Sequence, residues 1–217
     1  MESRVVECYC KLFEKLAWIS ILKWLEEKIP RLYRNKGFID IWAVGHFYLS
    51  LLCLTVIPIN KIIWIYGCVR IFEVINVQIN LLLFDQFRAE GKKKPYFVTS
   101  FTRTVLLLIH NYLEIVVWFA LVYHTFYYFF ETINISLNTV LGSLYFSLVT
   151  MTTLGYGDIT PKTQWGTLIV IIQTLIGIFM ALLLLARFVA LLPRPDERKR
   201  KIKSKGISFL LGNKRPK

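Results

Sequence analysis

Four long apolar stretches constrain this chain more than any other feature of its sequence. They cover residues 38–59, 62–84, 104–130 and 165–192. Each reaches the roughly 20 residues that an α-helix needs to cross the hydrocarbon core of a bilayer. A fifth apolar stretch, residues 139–151, is too short to span and is typical of a re-entrant helix. The pattern predicts an all-α membrane protein with four transmembrane helices and one re-entrant helix.

The composition excludes an ordinary soluble domain, since 55% of the 217 residues are hydrophobic. The net charge of +13 could suit a nucleic-acid partner. However, the basic residues lie between the apolar stretches and not along one face of a soluble fold. We therefore expect membrane lipids, and no nucleic acid, as surroundings of this chain.

The basic residues also predict the orientation. Residues 1–37 carry eight Lys and Arg, residues 85–103 carry five, and residues 186–217 carry eleven. Because positive residues stay on the cytoplasmic side, both termini and the 85–103 loop are predicted to be cytoplasmic. We expect a multi-pass protein of the cell membrane, with residues 131–164 facing outward.

Residues 152–158, Thr-Thr-Leu-Gly-Tyr-Gly-Asp, follow the short apolar stretch. Gly155 and Gly157 flank Tyr156, and glycine adopts positive φ without steric cost. Successive backbone carbonyls can then point to one axis and replace the water shell of an ion. One chain supplies only one wall of such a path, so a single loop predicts a closed ring of four copies, a homotetramer.

Residues 143–161, SLYFSLVTMTTLGYGDITP, with Gln164-Trp165-Gly166 after them, resemble the pore of the potassium channel superfamily. The resemblance covers about residues 104–192. It implies a tetrameric, potassium-selective channel that conducts K⁺ passively, with a pore helix, a selectivity-filter loop and a pore-lining inner helix. The permeant ion is then K⁺, and neither an organic cofactor nor an enzymatic activity is expected.

The same resemblance assigns roles to the residues of the loop. The carbonyls of Thr153, Leu154, Gly155 and Tyr156, with the Thr153 hydroxyl, would form the stacked K⁺ sites, and Gly157 would complete the filter. The Tyr156 side chain is expected to turn away from the axis toward Tyr145 and Phe146, and Asn138 to cap the pore helix. The residues expected to support the filter are Thr152, Asp158, Tyr145, Phe146 and Val149.

Three positions depart from the usual pattern of that superfamily. Leu154 stands where valine is common, which the filter should tolerate because the carbonyl binds the ion. Phe146 stands in place of a tryptophan, and Val149 in place of a glutamate found in some members. Since neither side chain can donate to Asp158, we expect the Tyr145 hydroxyl to be the donor, and the conducting state of the filter to depend on that contact.

Gly177, in the middle of the fourth span, matches the hinge glycine of the inner helix by the same resemblance. The residues alone allow a second interpretation, a close helix–helix contact formed together with Ala181.

Ionisable residues within the spans do not make a usual voltage sensor, which needs several Arg or Lys at three-residue spacing. Arg70, Glu73 and Glu114 are predicted to lie at similar depth near the middle of the membrane. They could form a structural ion pair that fastens the first two spans to the rest. Alternatively, His110 and Glu114 could form a pH-sensitive or gating switch.

The expected organisation has four parts. Residues 1–37 form an amphipathic helix, either on the cytoplasmic leaflet or in a short bundle with other copies. Residues 38–90 form a peripheral transmembrane hairpin, and residues 104–192 form the pore domain. Residues 193–217 form a basic cytoplasmic tail, either a solvated anchor or a site for anionic lipid. A non-selective channel fits less well, because the Gly-Tyr-Gly-Asp sequence is intact. A transporter subunit fits less well, because the pore segment is not repeated. An enzyme fits less well, because the chain shows no set of catalytic residues.

Overall fold

The computed structural model describes residues 4–18, 20–30, 36–56, 61–84 and 101–191, and in these residues the chain is mostly helical. The helices are α1 (Arg4–Ala17), α2 (Ile21–Lys28), α3 (Lys36–Thr55), α4 (Lys61–Ile79), α5 (Phe101–Thr125), α6 (Val140–Met151) and α7 (Gln164–Leu191). A π-helical turn, Asn80–Phe84, continues α4, and a 3₁₀ turn, Tyr127–Phe129, follows α5. Two short strands, β1 (Phe130–Thr132) and β2 (Ile159–Pro161), lie before α6 and before α7.

The prediction of four membrane-crossing helices is confirmed. The helices long and apolar enough are Gly37–Thr55, Ile62–Ile79, Thr102–Thr125 and Gln164–Val189. The third predicted span is wrong at its end, because the helix stops at Thr125 and not at residue 130. The apolar residues beyond it form the 3₁₀ turn and enter β1, where hydrogen bonds between strands replace those of a helix.

Helix α5 is the centre of the molecule and packs against α3, α4, α6 and α7. All ten residues from Glu114 to Tyr123 are buried, as expected for a helix that is apolar on every side. Helices α3 and α7 instead leave apolar side chains exposed in one copy of the chain. Those faces are available to lipid or to further copies of the chain.

The predicted single helix over residues 1–37 is wrong, because Ser20 separates α1 from α2. Helix α1 packs against α4, and the rings of Phe13 and Phe84 lie 5.6 Å apart. The break lets the Ser20 hydroxyl donate a hydrogen bond to the carboxylate of Glu73. Trp18 and Trp24 are exposed. The N-terminal segment is thus joined to α4 and the turn that follows it in its own chain.

Strands β1 and β2 form an antiparallel pair in which Phe130 lies opposite Pro161 and Thr132 opposite Ile159. Two further backbone bonds extend the pair, from Ile133 N to Asp158 O at 3.0 Å and from Lys162 N to Phe129 O at 2.9 Å. Strands of three residues are too short to show a hydrophobic period, which is why they were not predicted. They attach the outer end of the 152–158 loop to the end of α5.

The 85–100 segment and the basic tail after residue 191 lie outside the described residues, so their cytoplasmic placement stays a prediction.

Candidate ion-conduction site

Helix α6 delivers the chain to the 152–158 loop. Its N-cap is Thr139 and not Asn138: the Thr139 hydroxyl oxygen accepts from the Gly142 amide at 3.1 Å and donates to the Ser136 carbonyl at 2.8 Å. A Cβ at Gly142 would lie 2.1 Å from the same Ser136 oxygen, so this tight entry requires glycine. The helix ends at Met151, and its C-terminal carbonyls, the negative end of the helix dipole, adjoin the loop.

The loop backbone alternates between two conformations. Thr153, Gly155 and Gly157 have φ of 59°, 58° and 79°, and no other described residue has positive φ. A β-branched residue such as Thr153 rarely adopts this region, at a cost of about 1–3 kcal/mol. Left-handed residues at every second position turn successive carbonyls to the same side, as a ladder of carbonyl ligands requires. The two glycines were expected to do this, and the strained Thr153 was not.

Backbone hydrogen bonds hold the inner end of the loop to the last turn of α6. The amide of Thr152 donates to Leu148 O at 3.0 Å, and that of Leu154 donates to Val149 O at 3.0 Å. The Thr153 amide donates to Thr150 O at 3.1 Å. Val149 therefore supports the loop through its backbone carbonyl. Its apolar side chain gives no sign of this role.

One side of the loop is open in a single copy of the chain. Leu154 and Tyr156 are 61% and 67% exposed, although the first is apolar and the second aromatic. A Cβ added at Gly155 or Gly157 would meet no atom within 4 Å. On this side the loop is therefore accessible to solvent or to another molecule.

Tyr145 joins the helix to the outer end of the loop. Its hydroxyl donates to an Asp158 carboxylate oxygen at 2.7 Å, and its ring stacks on Tyr156 with centroids 6.5 Å apart. The hydrogen bond to Asp158, followed by burial and the nearby negative charge, raises the pKa of Tyr145 to about 12. The Phe146 ring packs against Tyr123 and Phe130.

Gly177 lies on the uninterrupted helix α7 and faces α6. A Cβ at this position would be 2.4 Å from the carbonyl oxygen of Met151. The close contact is thus with the end of α6. Ala181 is exposed in this single copy, so its part in the predicted helix–helix contact stays a prediction.

Three polar side chains that the sequence reasoning missed meet where α5, α6 and α7 pack together. Tyr123, Ser147 and Gln173 are each 0% exposed, and hydrogen bonds join them. The signal that could have found them is the presence of polar residues in apolar helices, where an unpaired polar group is costly.

Three charged residues of the spans, Arg70, Glu73 and Glu114, form one buried cluster. Arg70 donates through Nε and Nη2 to both carboxylate oxygens of Glu114, at 2.8 and 3.1 Å, and through Nη1 to Glu73 at 2.5 Å. Trp118 Nε1 donates to Glu114 at 3.2 Å. His110 is not part of this cluster, because its Nδ1 lies 3.0 Å from the Leu106 carbonyl and its ring lies against Phe47.

Comparison with known proteins places these features in a class. Residues 113–194 match a family described as ion channel, so this part of the chain is an ion channel domain. A segment of 43 residues is 46% identical to a hyperpolarization-activated voltage-gated potassium channel of Methanocaldococcus jannaschii, over 20% of this chain and 21% of that protein. The family match and the partial similarity support a place in the potassium channel superfamily, and the four apolar helices support a multi-pass membrane protein. It matches about a fifth of the length of that relative, and no solved structure matches it.

Proposed function

We propose that this chain is one subunit of a homotetrameric, potassium-selective channel whose filter is residues 152–158. The observation that carries the proposal is the alternation of left-handed residues at Thr153, Gly155 and Gly157. It supports a ladder of carbonyls from Thr153, Leu154, Gly155 and Tyr156 that takes the place of the hydration shell of K⁺.

The open side of the loop supports the fourfold assembly. Leu154 and Tyr156 are exposed in one copy, and α7 carries exposed apolar residues along most of its length. Four copies around one axis would close the path and cover part of these surfaces. The α6 helices would then direct their negative ends toward the ion below the filter.

Arg70 supports a channel without a conventional voltage sensor. In the described parts of α3, α4 and α5, Arg70 is the one arginine near the middle of a span. It forms ion pairs with Glu73 and Glu114. A sensor moves several uncompensated charges through the membrane field, whereas this arginine is neutralised in place. Both termini are proposed to be cytoplasmic, with the basic tail near anionic lipid.

The test is the reversal potential of the purified full-length protein in a planar bilayer, with potassium chloride on one side and sodium chloride on the other. We expect a reversal close to the potassium equilibrium limit, and no current in protein-free membranes. A Gly157→Ala variant should lose selectivity, because φ of 79° is strained for alanine. A wild-type reversal near zero would contradict potassium selectivity and leave a non-selective channel.

The same recordings test the absence of a sensor. We expect the open probability to change little between negative and positive voltages. A steep change, equivalent to several elementary charges moving per channel, would show that gating charges exist and would contradict this part of the proposal.

A further inference from the structure

The buried polar residues Tyr123, Ser147 and Gln173 lie on three different helices, α5, α6 and α7. Each is fully enclosed by an otherwise apolar core. A polar side chain in such surroundings is stable only if its donors and acceptors are satisfied. A leucine or methionine would fill the same space at α7 without that requirement.

The hydrogen bonds run in one direction. The Tyr123 hydroxyl donates to Gln173 Oε1 at 2.5 Å. Gln173 Nε2 donates to both the carbonyl oxygen and the hydroxyl oxygen of Ser147, each at 2.9 Å. The Ser147 hydroxyl in turn donates to the carbonyl of Val116 at 2.6 Å. Because the single hydroxyl proton of Ser147 is used on Val116, Ser147 must accept from Gln173, and the amide orientation of Gln173 is determined.

The position of this contact relates it to the filter. Ser147 lies one helical turn before Met151, the last residue of α6, and the filter begins at Thr152. Gly177 lies one turn after Gln173 on α7 and touches the Met151 carbonyl. Two contacts, four residues apart on each helix, therefore set the register of α7 against the last turn of α6. The contact of Gln173 with Ser147 is a hydrogen bond, and that of Gly177 with Met151 is steric.

We propose that Gln173 is a positioning residue for ion selection: its amide holds the last turn of α6, and so the filter entrance at Thr152 and Thr153, in the selecting conformation. This rests on the proposed function. Gln173 acts on the ion through Ser147, because its own side chain is fully buried and its amide bonds to α6 at that residue. A displacement of α7 must either carry the last turn of α6 with it or break the bonds to Ser147.

The experiment compares full-length wild-type channel with Gln173→Met, which keeps an unbranched side chain of similar length and removes only the hydrogen bonds. We expect the potassium-to-sodium permeability ratio to fall about tenfold, the scale of a lost buried hydrogen bond. Tyr123→Phe should lower the ratio less, because it leaves both bonds from Gln173 to Ser147 in place. An unchanged ratio in a folded Gln173→Met tetramer overturns the proposal.

Ser147→Ala and Ser50→Ala provide a matched pair of controls. Both serines are 0% exposed, but Ser50 bonds only to a carbonyl of its own helix, Phe47 O at 2.7 Å. We expect Ser147→Ala to lower the permeability ratio and Ser50→Ala to leave it at the wild-type value. Equal effects of the two changes would indicate a general response to a lost buried hydroxyl and would also overturn the proposal.

Two further measurements keep the outcomes separate. If Gln173→Met does not assemble, Ser147→Ala decides, because it removes one of the two bonds from Gln173 to α6; a wild-type ratio in that variant overturns the proposal. If the wild type itself does not select potassium, the proposed function fails, and amide hydrogen exchange of residues 147–153 tests the positioning directly. Exchange that is about tenfold faster in Gln173→Met than in wild type supports it, and equal exchange overturns it.

Discussion

Gly177 of α7 packs so closely on the end of α6 that a Cβ added to it would lie 2.4 Å from the carbonyl oxygen of Met151. That oxygen belongs to the backbone and cannot move aside as a flexible side chain could. Helix α7 continues from Gln164 to Leu191 through this position. The contact explains the need for glycine at residue 177 without any bend in the helix.

Gly177→Ala should therefore force α7 away from α6. We expect the yield of folded, conducting channel to fall at least about tenfold, on the scale of an overpacked core site. The measurement is the fraction of tetramer after purification, together with the macroscopic current per unit of protein.

Gly45→Ala is the matched control, because a Cβ at Gly45 of α3 meets no atom within 4 Å. Alanine favours the helix over glycine by about 1 kcal/mol, so this variant should assemble as well as wild type or better. Wild-type current from Gly177→Ala would show that α6 and α7 separate without cost, contrary to the observed contact.

The hydrogen bond between Tyr145 and Asp158 should slow the collapse of the filter. Tyr145→Phe keeps the ring that stacks on Tyr156 and removes the 2.7 Å bond. We expect current to decay several-fold faster during sustained activity, with selectivity at the start of the record unchanged. Tyr112→Phe, on α5 and outside the loop, serves as the control. Identical decay in wild type and Tyr145→Phe would mean that this bond does not hold the conducting state.

The same bond predicts that the conducting state becomes less stable at alkaline pH. The pKa of Tyr145 is raised to about 12 in the folded protein, from about 10 for an ordinary tyrosine. A raised pKa means that the stabilisation by the protonated hydroxyl is complete below about pH 10 and is lost as the pH rises through about 12. We expect the decay rate of wild-type current to be constant from about pH 7.5 to 9.5 and to increase above that range.

Tyr145→Phe isolates this effect from the effects of other groups that titrate at high pH. The current of this variant should decay fast at every pH. The increase in decay rate that Tyr145 causes at alkaline pH should be absent. An identical alkaline increase in wild type and variant would assign the effect to another residue.

The sequence was most informative where one physical requirement dominates. Hydrophobic length alone located four spans, and the glycines at 155 and 157 indicated left-handed backbone. The donor to Asp158 could be named because Phe146 and Val149 cannot donate. These inferences depend on chemistry that is local in the chain.

Inference from the sequence failed where distant residues decide the local structure. The third span ends at Thr125 because β1 pairs with β2, which is more than twenty residues away. The N-terminal helix breaks at Ser20, whose hydroxyl bonds to Glu73 on α4. Gln173 was passed over because its partners, Tyr123 and Ser147, lie on two other helices. Contacts of this kind leave no periodic pattern near either residue.

The ion cluster of Arg70 provides a prediction about stability. Its side chain is 4% exposed, and those of Glu73 and Glu114 are 1% and 0% exposed. Arg70→Met would leave two buried carboxylates without their guanidinium partner, at a cost of about 3–5 kcal/mol. We expect a large loss of folded protein, measured as the fraction of tetramer that survives heating in detergent. Adding Glu73→Gln and Glu114→Gln should recover much of the loss, because neutral amides carry no buried charge.

Arg103→Met is the same substitution at a half-exposed pair and shows what burial contributes. Arg103 lies 2.6 Å from Asp40, but the two side chains are 35% and 41% exposed. Water screens such a pair, whose loss costs about 0–1 kcal/mol. The thermal midpoint of Arg103→Met should therefore stay near that of wild type, while that of Arg70→Met falls far below it. Equal midpoints for the two variants would mean that water reaches Arg70 in the membrane and that the cluster does not fasten α4 to α5. His110→Gln should leave the midpoint unchanged, because His110 lies outside the cluster and contacts the Leu106 carbonyl instead.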